Sequence, residues 1–270
     1  ARYLVSNSMI NNNNSEFYFS ALFINLKFKN IDFGYARNIL SGGYPDRIWS
    51  LYDASTVIFS KKSLRYWDTI DDFYIFKKFP RSNLELFIEI AIPNRAFNEN
   101  GFFADHAIGS NIGFRKKDIF NNSNLFIGTE YTRLIQSSYY NILPSPNWYD
   151  NNKYNYSSYK SRRWAAHSGS DSDDLLLFFG YMDKNKRILY GINYERHGVT
   201  FSFPPEVKFE SRLSISYNHN NLTTAIYYEN EYFEHYGFVD KNVNVWNETF
   251  EPGSIQRTKS ILLSIEYNIF

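Results

Sequence analysis

Apolar and polar residues alternate with period two along much of this chain, the pattern of strands with one apolar and one polar face. Near the end, Ile261, Leu263, Ile265, Tyr267 and Ile269 are apolar, while Ser260, Ser264, Glu266 and Asn268 lie between them. Leu262 is the one exception on that second face. Leu84, Leu86, Ile88 and Ile90 share a face opposite Glu85 and Glu89. Leu213, Ile215 and Tyr217, then Leu222, Thr224, Ile226 and Tyr228, flank the polar stretch 218–221 and predict a hairpin. A second hairpin is predicted from residues 175–181 and from Ile188, Tyr190, Ile192 and Tyr194, joined by a charged turn at 183–186. Further strands are expected at 17–28, 31–39, 107–114 and 125–134, and no amphipathic helix of convincing length is present.

The predicted strands recur at roughly 20–25-residue intervals, a spacing of short turns and long loops. At about 10 residues per crossing, the chain supplies roughly 10–14 strands, read as one domain over residues 1–270. Two connections stand out as long, 42–72 and 139–174, and a stretch without structure of that length is functional or disordered. The Asn tract at 11–14 reads as a turn. The expected fold is all-β, an antiparallel transmembrane β-barrel. A soluble β-sandwich or barrel also alternates, so alternation alone does not separate the two. They differ in what the faces contain: a soluble barrel points its apolar face inward, whereas a membrane barrel turns it to lipid around a polar lumen.

Composition tilts the balance toward the membrane. Aromatic residues make up 20% of the chain, with 23 Tyr and 25 Phe, more than one interior of this size holds. Tyr gathers at strand ends, as at Tyr139, Tyr140, Tyr227, Tyr228 and Tyr232, where membrane barrels carry aromatic girdles. No apolar run approaches the roughly 18–20 residues of a spanning helix, and mean hydropathy is −0.46. If the chain crosses a membrane it does so with strands, because only helices and closed barrels satisfy their backbone groups in lipid. The absence of Cys excludes a disulfide scaffold and a thiolate metal site. With 29 basic and 28 acidic residues and no basic block, nothing favours nucleic acid as a partner. The chain opens at Ala1 without a signal segment and reads as processed or truncated.

The last residue is Phe270. A terminal Phe closing an alternating strand is a feature of outer-membrane barrels, although here Ile261 to Ile269 have the opposite parity. A bulge near Ile269 would restore the register.

Residues 144–175, PSPNWYDNNKYNYSSYKSRRWAAHSGSDSDDL, are the most distinctive part of the chain. Trp148, Tyr149, Tyr154, Tyr156, Tyr159 and Trp164 offer flat faces on which sugar C–H surfaces stack. Arg162, Arg163, His167, Asp171, Asp173 and Asp174 offer polar partners, the arginines suiting an acidic sugar carboxylate. A second reading is Ca²⁺ held by Asp171, Asp173 and Asp174, hard oxygen donors, though the spacing is not that of an EF-hand. A third is an extracellular loop with interfacial aromatics at its base and a solvated acidic turn at its tip.

The same segment resembles the Wzi family of capsule-assembly proteins. The residues that carry the resemblance are Tyr154, Tyr156, Tyr159, Arg162, Arg163, His167, Gly169, Asp171, Asp173, Asp174 and Leu175, with DHAIGSNIGFRKK at 105–117, LFIGTEYTRL at 125–134 and the Gly42-Gly43 pair upstream. Ala166 stands where the family pattern has Gly before the His, and the chain is shorter than full members. The resemblance implies an outer-membrane β-barrel acting as a surface lectin that holds capsular polysaccharide.

Catalytic readings find little support. His106, His167, His197, His219 and His235 form no H-E-x-x-H or H-x-H spacing. Ser168, His167 and Asp171 lie side by side without a G-x-S-x-G elbow, and adjacency in sequence is not triad geometry. His197, at the end of a hairpin strand, reads as a lumen or loop residue. The expectation is therefore a non-enzymatic protein of the bacterial outer membrane that needs no cofactor. Its partners are membrane lipid, extracellular polysaccharide and, in an assembly, other outer-membrane proteins. The alternative is a porin-type channel or a structural subunit of a larger assembly.

Overall fold

The computed structural model describes residues 2–12, 15–42, 68–93, 108–134, 150–151, 154–155, 158–159, 162–163, 172–199, 205–236 and 254–267. Among them every regular element is a strand. The first seven are β1 (Arg2–Asn12), β2 (Ser15–Phe28), β3 (Ile31–Gly42), β4 (Asp68–Phe79), β5 (Leu84–Pro93), β6 (Gly109–Ile119) and β7 (Asn122–Leu134). Four two-residue pieces follow: β8 (Asp150–Asn151), β9 (Tyr154–Asn155), β10 (Ser158–Tyr159) and β11 (Arg162–Arg163). The last five are β12 (Ser172–Met182), β13 (Lys186–His197), β14 (Glu206–His219), β15 (Leu222–Tyr236) and β16 (Ser254–Tyr267).

Twelve of these form one antiparallel sheet in chain order, β1 to β7 and then β12 to β16. β8 pairs with β9 and β10 with β11 as separate two-stranded pieces. The order begins at β1 and ends at β16, and the sheet is not closed among the described residues. Twelve lies inside the expected range of strands. The antiparallel all-β architecture is thus as expected, and closure into a barrel is a separate matter.

From β2 onward, connections alternate in length. Residues 29–30, 80–83, 120–121, 183–185 and 220–221 are tight turns, whereas 43–67, 94–108, 135–171 and 237–253 are long. Neighbouring turns are stitched together: the Lys117 amide donates to the Asn83 carbonyl at 3.0 Å and the Asn218 amide to Asn185 at 2.8 Å. At the turn 120–121, Phe120 and Asn121 both have positive φ, the backbone of a primed two-residue hairpin whose twist matches that of its strands. In the 183–185 turn, Asp183 accepts the Asn185 and Lys186 amides at 2.7 Å each and the Tyr181 hydroxyl at 2.9 Å.

The predicted long loop at 42–72 is shorter than expected, because β3 runs through Gly42 and β4 begins at Asp68. β4 escapes periodicity because aromatics occupy both of its faces: Phe73 and Ile75 on one, Tyr74 and Phe76 on the other. The Asn tract at 11–14 is not simply a turn, since Asn11 and Asn12 belong to β1, paired with Glu16 and Ser15. Residues 13–14 lie outside the described set, as does the Ile269 to Phe270 end on which the terminal-Phe reading depends. The connection at 139–174 ends earlier than expected, with β12 starting at Ser172.

The chain divides into two compact units. In the first (1–77, 87–111 and 134–171), Leu26, Phe33 and Ile75 align in register, as do Ile24, Tyr35 and Phe73. Leu26, Phe33, Ile75, Ile24 and Phe73 are exposed. The opposite face aligns Asn25, Gly34 and Tyr74, and the Tyr74 ring occupies the space that a side chain at Gly34 would need.

In the second unit (78–86, 112–133 and 172–270), β12 to β16 align residues in rows across five strands. One row is Tyr181, Ile188, Ile215, Ile226 and Leu263; the next is Phe179, Tyr190, Leu213, Tyr228 and Ile261. The other face aligns Asp174, Glu195, Lys208 and Phe233, and beside them Leu176, Asn193, Glu210 and Glu231. Phe126 of β7 and Phe178 of β12 interlock with glycines on that face: the Phe126 ring covers Gly180 and the Phe178 ring covers Gly128.

The faces are therefore inverted relative to a water-soluble sheet. Among the described residues the buried apolar set is only Leu22, Ile70, Ile92 and Leu134, while Ser172, Asp173, Asp174, Asn193, Glu195, Glu206 and Glu210 are buried. The largest fully buried side chains are Glu195 and Glu210.

Candidate functional site

The residues singled out by sequence for sugar or Ca²⁺ divide between the described and undescribed parts of the chain. Trp148, Tyr149, Tyr156, Trp164, His167 and Asp171 lie outside the described residues. Tyr159 pairs with Arg162, and Ser158 with Arg163, in the small β10–β11 ladder, and Tyr154 pairs with Asn151 across β8–β9.

Asp173 and Asp174 are placed differently from the expectation of a solvated acidic turn. Both belong to β12, pairing with Arg196 and Glu195. Adjacent strand residues point to opposite faces, so these two carboxylates do not converge on one ion. Asp173 is held by Arg196 through two charge-assisted hydrogen bonds, one of 2.8 Å to Nε, the bidentate geometry for which guanidinium is suited. Asp174 is buried on the polar face.

The strongest concentration of charge among the described residues is on the polar face of β13, β14 and β15. Glu195 and His197 come from β13, Glu206, Lys208, Glu210 and Arg212 from β14, and Glu229 and Glu231 from β15. Alternation places them together: every second residue of a strand shares a face, and cross-strand partners lie about 5 Å apart. His197 Nδ1 is 2.9 Å from Glu206 and Nε2 is 3.1 Å from Glu195. Each ring nitrogen of His197 thus faces a carboxylate of a different strand position. Lys208 Nζ lies 2.6 Å from Glu210, 3.0 Å from Glu231 and 3.8 Å from Glu195. Arg212 contacts Glu210 and reaches Glu229 at 3.4 Å, whose other oxygen accepts the Tyr227 hydroxyl at 2.9 Å.

Five carboxylates thus share three basic side chains, two of which carry charge regardless of the imidazole. Glu210, Glu229 and Glu231 bring carboxylate oxygens within 4.8 Å of one another, close enough for a cation. Lys208 and Arg212 already occupy the space between them, so the arrangement is a mixed-charge network rather than a metal cage. What it can do chemically is favour positively charged solutes beside it and anchor three strands to each other. Of its members, the sequence singled out only His197, as a lumen or loop residue; the remainder carried no motif, because their proximity depends on strand register.

A smaller acidic feature belongs to the first unit, where the carboxyls of Asp72 of β4 and Glu89 of β5 are close neighbours. Glu89 is one of the two acids that lie opposite the apolar face of Leu84, Leu86, Ile88 and Ile90. Glu85, the other, is paired with Lys78 at 3.5 Å.

Compared with protein families, with characterised proteins and with solved structures, the chain finds no match. The all-β sheet with inverted faces is therefore the class that the molecule itself defines.

Proposed function

We propose that this chain forms a β-barrel of the bacterial outer membrane, with its apolar face toward lipid and its polar face lining a lumen. The single observation that carries the reading is the inversion of faces. Soluble monomers rarely expose contiguous apolar patches beyond a few hundred Å², yet here the rows through Phe179 and Tyr181 are exposed or half-exposed while Glu195 and Glu210 are buried. Dimensions agree. The stretch of β15 from Leu222 to Tyr232 rises roughly 33 Å at ~3.3 Å per residue, and a tilt of roughly 40° turns this into about 25 Å, the height of an outer-membrane apolar band. Closure into a barrel removes the unpaired edges that lipid cannot solvate.

On this scaffold the long 135–171 connection is the recognition element, and the protein binds or organises extracellular polysaccharide without catalysing a reaction. The resemblance to Wzi-type surface lectins supports this, as does the pairing of Tyr159 with Arg162. The test is binding of the detergent-solubilised protein to a panel of acidic and neutral glycans, with and without EDTA. Trp148→Ala and Trp164→Ala lose binding while heat-modifiable gel migration is retained. If the wild type binds no glycan, the lectin role is wrong.

A second reading, a channel preferring cations, is favoured by the carboxylate excess around Lys208 and Arg212. In a planar bilayer under a KCl gradient it gives a cation-selective reversal potential, which Glu229→Gln together with Glu231→Gln shifts toward zero.

A further inference from the structure

On the proposed lipid-facing side of β14, β15 and β16, one row breaks the apolar band. Ser211, Asn230 and Lys259 are cross-strand neighbours, and the same row continues on β13 and β12 as Ile192 and Leu177. One row toward the turns, Leu213, Tyr228 and Ile261 restore apolar character; one row away from them come Phe209, Tyr232 and Arg257. The Arg257 guanidinium lies over the Tyr232 ring, 5.1 Å from its centroid, which fixes the direction of an otherwise mobile side chain. Lys259 and Arg257 are exposed and two residues apart on the same face. The acid on that face is Glu234, which accepts the Tyr232 hydroxyl at 2.7 Å.

A polar row on the membrane side of an aromatic row is costly in hydrocarbon, because each side chain there needs a hydrogen-bond partner. The groups supplied are donors: a guanidinium, an ammonium, an amide and a hydroxyl. We propose that this notch is a binding surface for the phosphate of an anionic membrane-lipid headgroup, with Arg257 and Lys259 holding its oxygens and Asn230 and Ser211 completing the shell. The proposal rests on the membrane-barrel reading. Arg suits phosphate through its planar fork, Lys as a point charge. The acyl chains below would run down Leu213, Tyr228 and Ile261. Each basic side chain facing anionic lipid is worth about five-fold in affinity, so the pair contributes on the order of 25-fold.

Native mass spectrometry of the full chain in detergent, titrated with phosphatidylglycerol or phosphatidylcholine, tests this. The wild type retains phosphatidylglycerol preferentially, and the double variant Arg257→Gln/Lys259→Gln loses that preference, while Lys184→Gln/Arg187→Gln keeps it. A double variant that retains phosphatidylglycerol like the wild type, or a wild type with no preference, overturns the proposal. A dimer whose formation excludes lipid from this face also overturns it, since a second copy is then the occupant. Insertion into phosphatidylcholine vesicles, read by heat-modifiable migration, separates the two claims. Failure to insert sinks the barrel reading, whereas insertion without lipid preference sinks only the notch.

Discussion

Gly128 and Gly180 are the positions where a single methyl group matters most visibly. Each faces an aromatic ring from the neighbouring strand, Phe178 over Gly128 and Phe126 over Gly180, so a Cβ at either collides with its ring. Gly180→Ala therefore costs roughly 1–3 kcal/mol by overpacking, measurable as a lower urea midpoint, and Phe126→Leu in the same chain recovers part of the loss. Asp183 is a second residue whose role is local. The Asn185 and Lys186 amides, then the Tyr181 hydroxyl, stabilise its ionised form and hold its carboxyl below the usual carboxylate range. Because the folded value is the lower one, its contribution is fully present above about pH 4, the unfolded value, and is lost as pH falls through the folded value. An NMR titration of the Asp183 carboxyl finds a midpoint below about 3.9; a midpoint at or above it contradicts the assignment.

At the scale of elements, the charged network shows what sequence could and could not disclose. The hairpins around 183–185 and 220–221 were legible, since period-two runs flank short polar turns and the register follows from turn length. β1 and β4 were not: Leu4 and Val5 are adjacent in β1, and β4 carries aromatics on both faces. Glu195, Lys208, Glu210 and Glu231 are spread over 37 positions of the chain, and only the pairings β13–β14 and β14–β15 bring them together. Lys208 is the member on which the network depends most. Lys208→Met leaves Glu210 and Glu231 facing each other without their shared cation, at a cost of about 3–5 kcal/mol. Lys208→Met combined with Glu210→Gln and Glu231→Gln is far closer to wild type. If the triple variant is no more stable than the single one in urea, the ion pairs do not hold the strands as described. The candidate sugar site was legible only as composition, and of its members the described backbone pairs Tyr159 with Arg162 alone.

For the whole molecule, the proposed barrel turns on its apolar face meeting lipid. From β2 onward, the lengths of the connections put the tight turns on one edge of the sheet and the longer segments on the other, the asymmetry of outer-membrane barrels. The decisive quantity is the environment of successive residues along one strand. Spin labels placed singly at residues 175–179 of β12 and 188–193 of β13, in a membrane-reconstituted protein, report accessibility to oxygen, which partitions into lipid, and to a polar nickel complex. An apolar face in lipid gives period-two alternation, with oxygen favoured at 175, 177 and 179 and at 188, 190 and 192, and the two strands in phase through their register. Uniform access of the nickel complex at the apolar positions, or no alternation at all, would contradict it.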